Sequence, residues 1–207
     1  NLNMFVEDTP LWYETPVGPD VEFVTSFNSA DSIVQDSPVG NKWVLNYRSY
    51  IVQNTAGVMT VIMPDGRQDN FTPIRDINNN ITGYQAEAGV FHQLVNTSVA
   101  NNTWEIRFQD GSKWIYGVPA GVSSGQAFLL EVRDAWGYSL LVEYSNGRIA
   151  QLRDAQNKIT RFDYNAQGLI ERVTDPFGRY ASFTYDASKN LIECIDMEGH
   201  AFQYTYD

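Results

Sequence analysis

Cysteine is nearly absent: Cys194 is the single one in 207 residues, which excludes an internal disulfide framework and any metal cluster built on several thiolates. Long apolar runs are missing too. No stretch approaches the roughly 20 residues that a membrane-spanning helix needs, and residues 1–10 lack the basic start and apolar core of a signal peptide, so membrane insertion is not expected. Basic residues are scarce, with 14 Lys and Arg against 25 Asp and Glu, a net charge of −11. The acids are spread along the chain, and a surface of that sign repels phosphate backbones and anionic lipid, so nucleic-acid partners are excluded as well. The chain has two histidines, His92 and His200, neither with a carboxylate or cysteine at metal-ligand spacing. It has no glycine-rich phosphate loop and no nucleophile elbow.

What is abundant is aromatic: 11 Phe, 5 Trp and 12 Tyr, together with many Asn and Gly, a composition that favours strands and turns and predicts an all-β protein. Comparing the chain with itself reveals a repeat. Asp134, Asp154, Asp175 and Asp196 open four-residue words spaced 20, 21 and 21 apart: Asp134-Ala-Trp-Gly137, Asp154-Ala-Gln-Asn157, Asp175-Pro-Phe-Gly178 and Asp196-Met-Glu-Gly199. Each puts Asp first, where its carboxylate accepts from amides inside a turn, and Gly or Asn last, where positive φ is tolerated.

After each turn come seven residues ending in tyrosine: Tyr138 to Tyr144, Lys158 to Tyr164, Arg179 to Tyr185 and His200 to Tyr206. The third column reads Leu140, Thr160, Ala181 and Phe202, the fifth Val142, Phe162, Phe183 and Tyr204, and the seventh is always Tyr. These form one face; the positions between read Leu141, Arg161, Ser182 and Gln203, then Glu143, Asp163, Thr184 and Thr205, the period-two signature of a half-buried strand. Second turns follow at Ser145-Asn-Gly147, Asn165-Ala-Gln-Gly168 and Asp186-Ala-Ser-Lys-Asn190. Return strands then carry Ile149, Ile170 or Leu191, and three residues later Leu152, Val173 or Cys194. A step of three breaks strict alternation and predicts a bulge or a strand buried on both sides. Each unit is thus a β-hairpin, marginal alone, so successive units must stack in one antiparallel sheet.

Upstream, Val58 to Pro73 alternates Met59, Val61 and Met63 before a turn at Asp65-Gly66, and Trp104 to Tyr116 alternates Trp104, Ile106 and Phe108 before Asp110-Gly111. Asp-Gly between alternating apolar runs is a hairpin signal. The expected organisation is an N-terminal segment over 1–57, degenerate hairpins over 58–133 with an irregular Asn-rich insertion near 75–103, and clear repeats over 134–207. Val118 to Ser124 reads as a loop.

At these residues the chain resembles a known family. Glycine, seven strand residues ending Tyr185-Asp186, a turn, Leu191, then Asp196 and Gly199 is similar to the YD repeat of Rhs proteins, which also occurs in teneurins and in the cocoon-forming subunits of insecticidal toxin complexes. Asp175-Pro-Phe-Gly178 matches the turn word, Tyr206-Asp207 is a second Tyr-Asp pair, and Tyr144-Ser and Tyr164-Asn depart only at the Asp. Thr15-Pro-Val-Gly-Pro19, Thr25-Ser-Phe-Asn-Ser29 and Gly40-Asn-Lys-Trp-Val-Leu-Asn-Tyr47 are more loosely similar to the module that precedes the repeats in bacterial Rhs proteins. The resemblance implies an antiparallel sheet wound as a spiral ribbon into a shell around a toxic C-terminal cargo. It also implies a secreted or cell-surface bacterial location, and partners that are downstream repeats and the cargo domain of the same polypeptide. The abrupt start and stop of the chain fit a piece of a larger protein.

Chemistry is weighed against plainer roles. His200 shares a variable column with Tyr138, Lys158 and Arg179, and Cys194 replaces the core aliphatics Leu152 and Val173. Asp175 and Asp196 form an imaginable acid–base pair, but both hold the first position of a turn. No residue matches the family's aspartyl self-cleavage site. Asn70, Asn80, Asn96 and Asn101 open glycan-acceptor words that read as chance in an Asn-rich chain. Of Trp12, Trp43, Trp104, Trp114 and Trp136, the last lies mid-turn and is the best candidate for a sugar platform, so a surface adhesion or carbohydrate-binding module is the alternative function. No catalytic residue, cofactor or metal site is expected.

Overall fold

A computed structural model describes residues 4–29, 37–122 and 125–206. Asp207 of the second Tyr-Asp pair, and Ser123 and Ser124 of the expected loop, lie outside the described residues. Among the described residues the chain is all-β, with antiparallel strands and no helix. Three strands, β1 (Phe5–Tyr13), β2 (Val21–Asn28) and β3 (Trp43–Leu45), form a small sheet in chain order. The others form one large sheet.

In that sheet, β4 (Tyr50–Gln53), β5 (Met59–Ile62), β6 (Gln68–Arg75) and β7 (Ile81–Ala86) make one arm, and β8 (Gln93–Ser98), β9 (Thr103–Arg107) and β10 (Lys113–Gly117) make another. Both arms pair with β11 (Ala127–Arg133), where the sheet forks: Ala127 and Phe128 pair with β4, while Glu131 to Arg133 pair with β12 (Ser139–Ser145). Thereafter β13 (Arg148–Arg153), β14 (Ile159–Tyr164), β15 (Ile170–Thr174), β16 (Tyr180–Tyr185), β17 (Leu191–Ile195) and β18 (Ala201–Gln203) follow in strict sequence order. The sheet does not close into a barrel: β7 shares no ladder bonds with β8 or β9, although Tyr84 of β7 packs on Trp104 of β9 with ring centroids 5.3 Å apart.

The three-residue step on the return strands is a bulge. Opposite Glu143/Tyr144, Asp163/Tyr164 and Thr184/Tyr185 the register slips, and Ala150, Glu171 and Ile192 are the extra residues. An extra residue restores the inward direction after an odd step, so Ile149 and Leu152, Ile170 and Val173, and Leu191 and Cys194 are all buried on one face. Leu130 is the same extra residue opposite Ile115/Tyr116, which makes β10 and β11 an earlier unit of the same kind.

Two stretches differ from the sequence expectation. Residues 75–103, expected to be irregular, hold β7 and β8 in regular antiparallel pairing with β6 and β9. Asn and Gly weaken intrinsic strand preference there, but Asp76 closes a tight turn and cross-strand pairing decides the outcome. The boundary expected at 57 also shifts, because β4 already belongs to the large sheet.

The small sheet lies over the inner face of the repeats. Leu11, Val21 and Phe23 are fully buried, and the Phe23 ring packs 5.7 Å from Phe162 and 5.4 Å from Phe183. Burying one such aromatic contributes about 1.5–3 kcal/mol. Farther along, Trp43 packs on Tyr204 and Phe27 on Tyr206. Phe202 departs from its column: it lies across from Cys194 but is 44% exposed, because the covering rings reach Tyr204 and Tyr206 and not its position.

Candidate functional site: repeat turns, tyrosine seams and the covered face

All four repeat turns share one geometry. The Oδ1 of Asp134 accepts from the amides of Trp136 and Tyr138, that of Asp154 from Gln156 and Lys158, that of Asp175 from Phe177 and Arg179, and that of Asp196 from Glu198 and His200, each at 2.8–3.0 Å. The fourth residue is left-handed in each, with φ of 94° at Gly137, 64° at Asn157, 86° at Gly178 and 88° at Gly199. Such turns match the twist of the strands they join. In each, the first residue's amide also donates to the carbonyl of the fifth, and its carbonyl accepts from the amide of the fourth; this pair of backbone bonds also closes the turns opened by Asn54, Met63, Asp76, Phe108, Asn165 and Asp186, so one turn type serves both margins of the sheet.

The turns are alike in bonding and unlike in cover. Asp154 and Asp175 are buried beneath the N-terminal sheet, where Tyr13 donates to Asp154 Oδ2 at 3.2 Å and Arg179 Nε to Asp175 Oδ2 at 2.7 Å, while Arg179 Nη2 also reaches the Trp12 carbonyl. Asp134 and Asp196 are half-buried. Burial works against the Asp196 charge, but the amides of His200 and Glu198 and the His200 ring outweigh it and hold the carboxyl below its usual range. Asp175 and Asp196 therefore stand in separate turns, each saturated by its own amides.

At the opposite ends of the strands, the tyrosines form seams between units. Tyr144 donates to the Leu129 carbonyl at 3.0 Å, Tyr164 to Ile149 at 2.8 Å, Tyr185 to Ile170 at 2.8 Å and Tyr206 to Leu191 at 2.6 Å, each fifteen residues back. Every acceptor is the buried apolar residue immediately before the bulge of the preceding return strand. The rings of Tyr144, Tyr164 and Tyr185 are half-buried against the core, and burial pushes the Tyr164 hydroxyl up to about 12. Tyr206 is 37% exposed, with its hydroxyl also receiving the Trp43 indole N–H at 2.9 Å.

Backbone bonds tie the N-terminal region to the same margins. Ile170 N donates to the Pro38 carbonyl at 2.7 Å, Asn41 N to Lys189 at 3.0 Å, Met197 N to Pro10 at 2.9 Å and Leu129 N to Ser49 at 3.0 Å. Gly40 is required at this seam, since a Cβ there would lie 2.9 Å from the Lys189 carbonyl and its φ is 99°.

Cys194 is 1% exposed between β16 and β18, and burial drives its thiol up to about 12, the environment of a packing residue and not of a nucleophile. Trp136 is 85% exposed at its turn. His92 has a partner that sequence spacing could not reveal: its Nε2 lies 3.1 Å from Oδ2 of buried Asp69, between the Phe71 and Phe108 rings. Burial lowers the His92 pKa and raises that of Asp69, against the attraction between the two; the Arg67 charge adds to the first shift and opposes the second. The shallow cavity beside the pair is lined by Arg67, the four residues from Gly89 to His92, and Phe108 to Asp110, without a hydroxyl or thiol to serve as nucleophile. Among the described residues no group of three or more His, Cys, Asp or Glu is placed to hold a metal ion.

Residues 144–180 and 164–196 each match the RHS Repeat family. The two spans overlap over residues 164–180 and together include three of the four seam tyrosines and the Asp154 and Asp175 turns, while the N-terminal sheet lies outside both. A search of curated proteins finds no match.

Proposed function

From the premise that this chain is an Rhs/YD-repeat protein, with a structural repeat at its centre, we propose that it is a piece of shell wall that encloses a C-terminal toxin or effector for delivery or intercellular competition. The observation that carries this reading is the seam. Each unit docks on the one before through the same Tyr-to-carbonyl bond and the same bulge, a rule that adds further units without new chemistry. The N-terminal sheet fills the inner face over the described repeats, so this stretch acts as a covered end of the wall, and any hollow is formed by other units of the parent polypeptide. The role is mechanical and non-enzymatic, and the setting is secreted or cell-surface. Among the described residues no helix is long and apolar enough to cross a membrane.

The parent gene tests the proposal. A long run of further repeats at the same spacing, followed by a non-repeat C-terminal domain, is expected, and a parent without them refutes encapsulation. One observation favours adhesion as a second reading: Trp136 presents its ring to solvent with Tyr138 half-exposed beside it. Saturable binding on a glycan array, lost in Trp136→Ala, is the result that supports it, and a blank array removes it.

A further inference from the structure

Most basic side chains of this acidic chain are engaged. Arg67, Arg107, Lys113, Arg133, Arg153 and Arg179 pair with carboxylates, Lys42 and Arg75 with backbone carbonyls, and Lys158 and Arg172 with aromatic rings. Arg48, Arg148 and Lys189 form no ion pair among the described residues, and all three line one cavity of about 350 Å³ at the tyrosine margin.

They come from three distant segments. Arg48 lies half-buried between β3 and β4, with its charge acting on the hydroxyls of both Tyr144 and Tyr164. Arg148 opens β13, 5.4 Å above the Tyr164 ring, with its guanidinium against Gly168 of the next unit. Lys189 stands in the following turn at φ 67°, its carbonyl held by Asn41. Among the described residues no Asp or Glu lines the cavity. The remaining lining groups include Asn41, Asn146 and Gln167 amides and the Phe128, Tyr144 and Tyr164 rings.

We propose that this cavity is a binding site for a small phosphate monoester. Guanidinium forks match phosphate oxygens, and three cations with no carboxylate among the described lining residues suit a dianion better than a single carboxylate. The volume exceeds that of a bare ion and leaves room for an organic body against the rings. A net charge of −11 repels anions elsewhere, so saturable binding would be local to this cavity.

Calorimetric titration of the 207-residue chain at low ionic strength, in phosphate-free buffer, tests the site with glucose 6-phosphate as probe. One-site binding with a dissociation constant of about 1 mM or tighter is expected, weakening as salt is added. Inorganic phosphate should bind more weakly and glucose not at all. Arg48→Gln and Arg148→Gln should each weaken binding about tenfold or more, as should Lys189→Asn, which keeps a residue tolerant of positive φ. Arg161→Gln, an exposed charge outside the cavity, should leave it unchanged. Circular dichroism shows whether each variant is folded, and a misfolded one yields its place to the other two. Absence of saturation, binding indifferent to all three variants, or citrate binding as tightly as the phosphate monoester overturns the proposal.

Discussion

Asp175 and Asp134 hold the same turn position and accept the same two amide bonds, yet removing them should cost different amounts. In the covered turn, Asp175→Ala deletes both amide bonds at 2.9 Å and the 2.7 Å bond from Arg179, which also anchors the Trp12 carbonyl of β1. The carboxylate side chain has no solvent exposure, so water does not replace it. Hydrogen bonds to a charged group contribute about 1.5–3 kcal/mol each when they are not replaced, and with the half-exposed Arg179 resolvated the net loss is about 2–4 kcal/mol. Asp134→Ala loses two amide bonds at a half-buried turn that water reaches, a loss of about 1 kcal/mol. For a chain of this size those values lower the melting temperature by roughly 4–16 °C and 2–4 °C respectively. Urea unfolding with the two variants and their Asn counterparts measures the difference directly, provided the slope m is unchanged. Equal destabilisation of the two turns, within about 0.5 kcal/mol, would falsify the claim that the N-terminal sheet makes the difference.

Tyr185→Phe keeps the ring and removes the bond to the Ile170 carbonyl, so it should destabilise by about 1–2 kcal/mol, while Tyr138→Phe, at an exposed hydroxyl, should stay within about 0.5 kcal/mol in the same urea assay. Cys194, with its thiol driven to about 12, should resist a thiol reagent at pH 8 in the folded protein and react only as fast as the chain opens; complete labelling within minutes would contradict its place in the core. Burial lowers the His92 pKa below its unfolded value, so the unfolded chain takes up a proton that the folded one refuses, and stability falls as pH drops from about 6.5 through the folded pKa. The raised pKa of Asp69 acts in the opposite sense at more acid pH, where the folded state binds the extra proton. His92→Gln should flatten the decline in urea midpoint between pH 7.5 and 5.5; a midpoint that instead rises on acidification would mean that the pair folds as an ion pair.

Turn chemistry and strand period are local, and what they encode was readable directly. Asp at the head of each turn, left-handed Gly or Asn at its end, the inward columns through Val142, Phe162 and Phe183, and the odd step from Ile170 to Val173 each depend on residues within one hairpin. Their recurrence at a fixed spacing sufficed to identify a stacked antiparallel array and the repeat family that residues 144–196 match. Even the tyrosine seam had a trace in the sequence, a constant residue type at the seventh position, although nothing in the spacing told that the hydroxyl would reach a carbonyl fifteen residues back. The Asn-rich stretch that forms β7 and β8 was illegible because weak local preference was overruled by pairing with β6 and β9.

Only the tertiary structure decided which face of the array is covered and by what. β1 and β2 alternate like any half-buried strands, and their pattern does not name the Phe162 and Phe183 rings as the surface they bury. The fork at β11, the meeting of His92 with Asp69, and the convergence of Arg48, Arg148 and Lys189 each join segments far apart in sequence. Such contacts are selected by the free energy of burying whole faces against one another, a quantity that belongs to the assembled sheets and has no signature in any one stretch of chain.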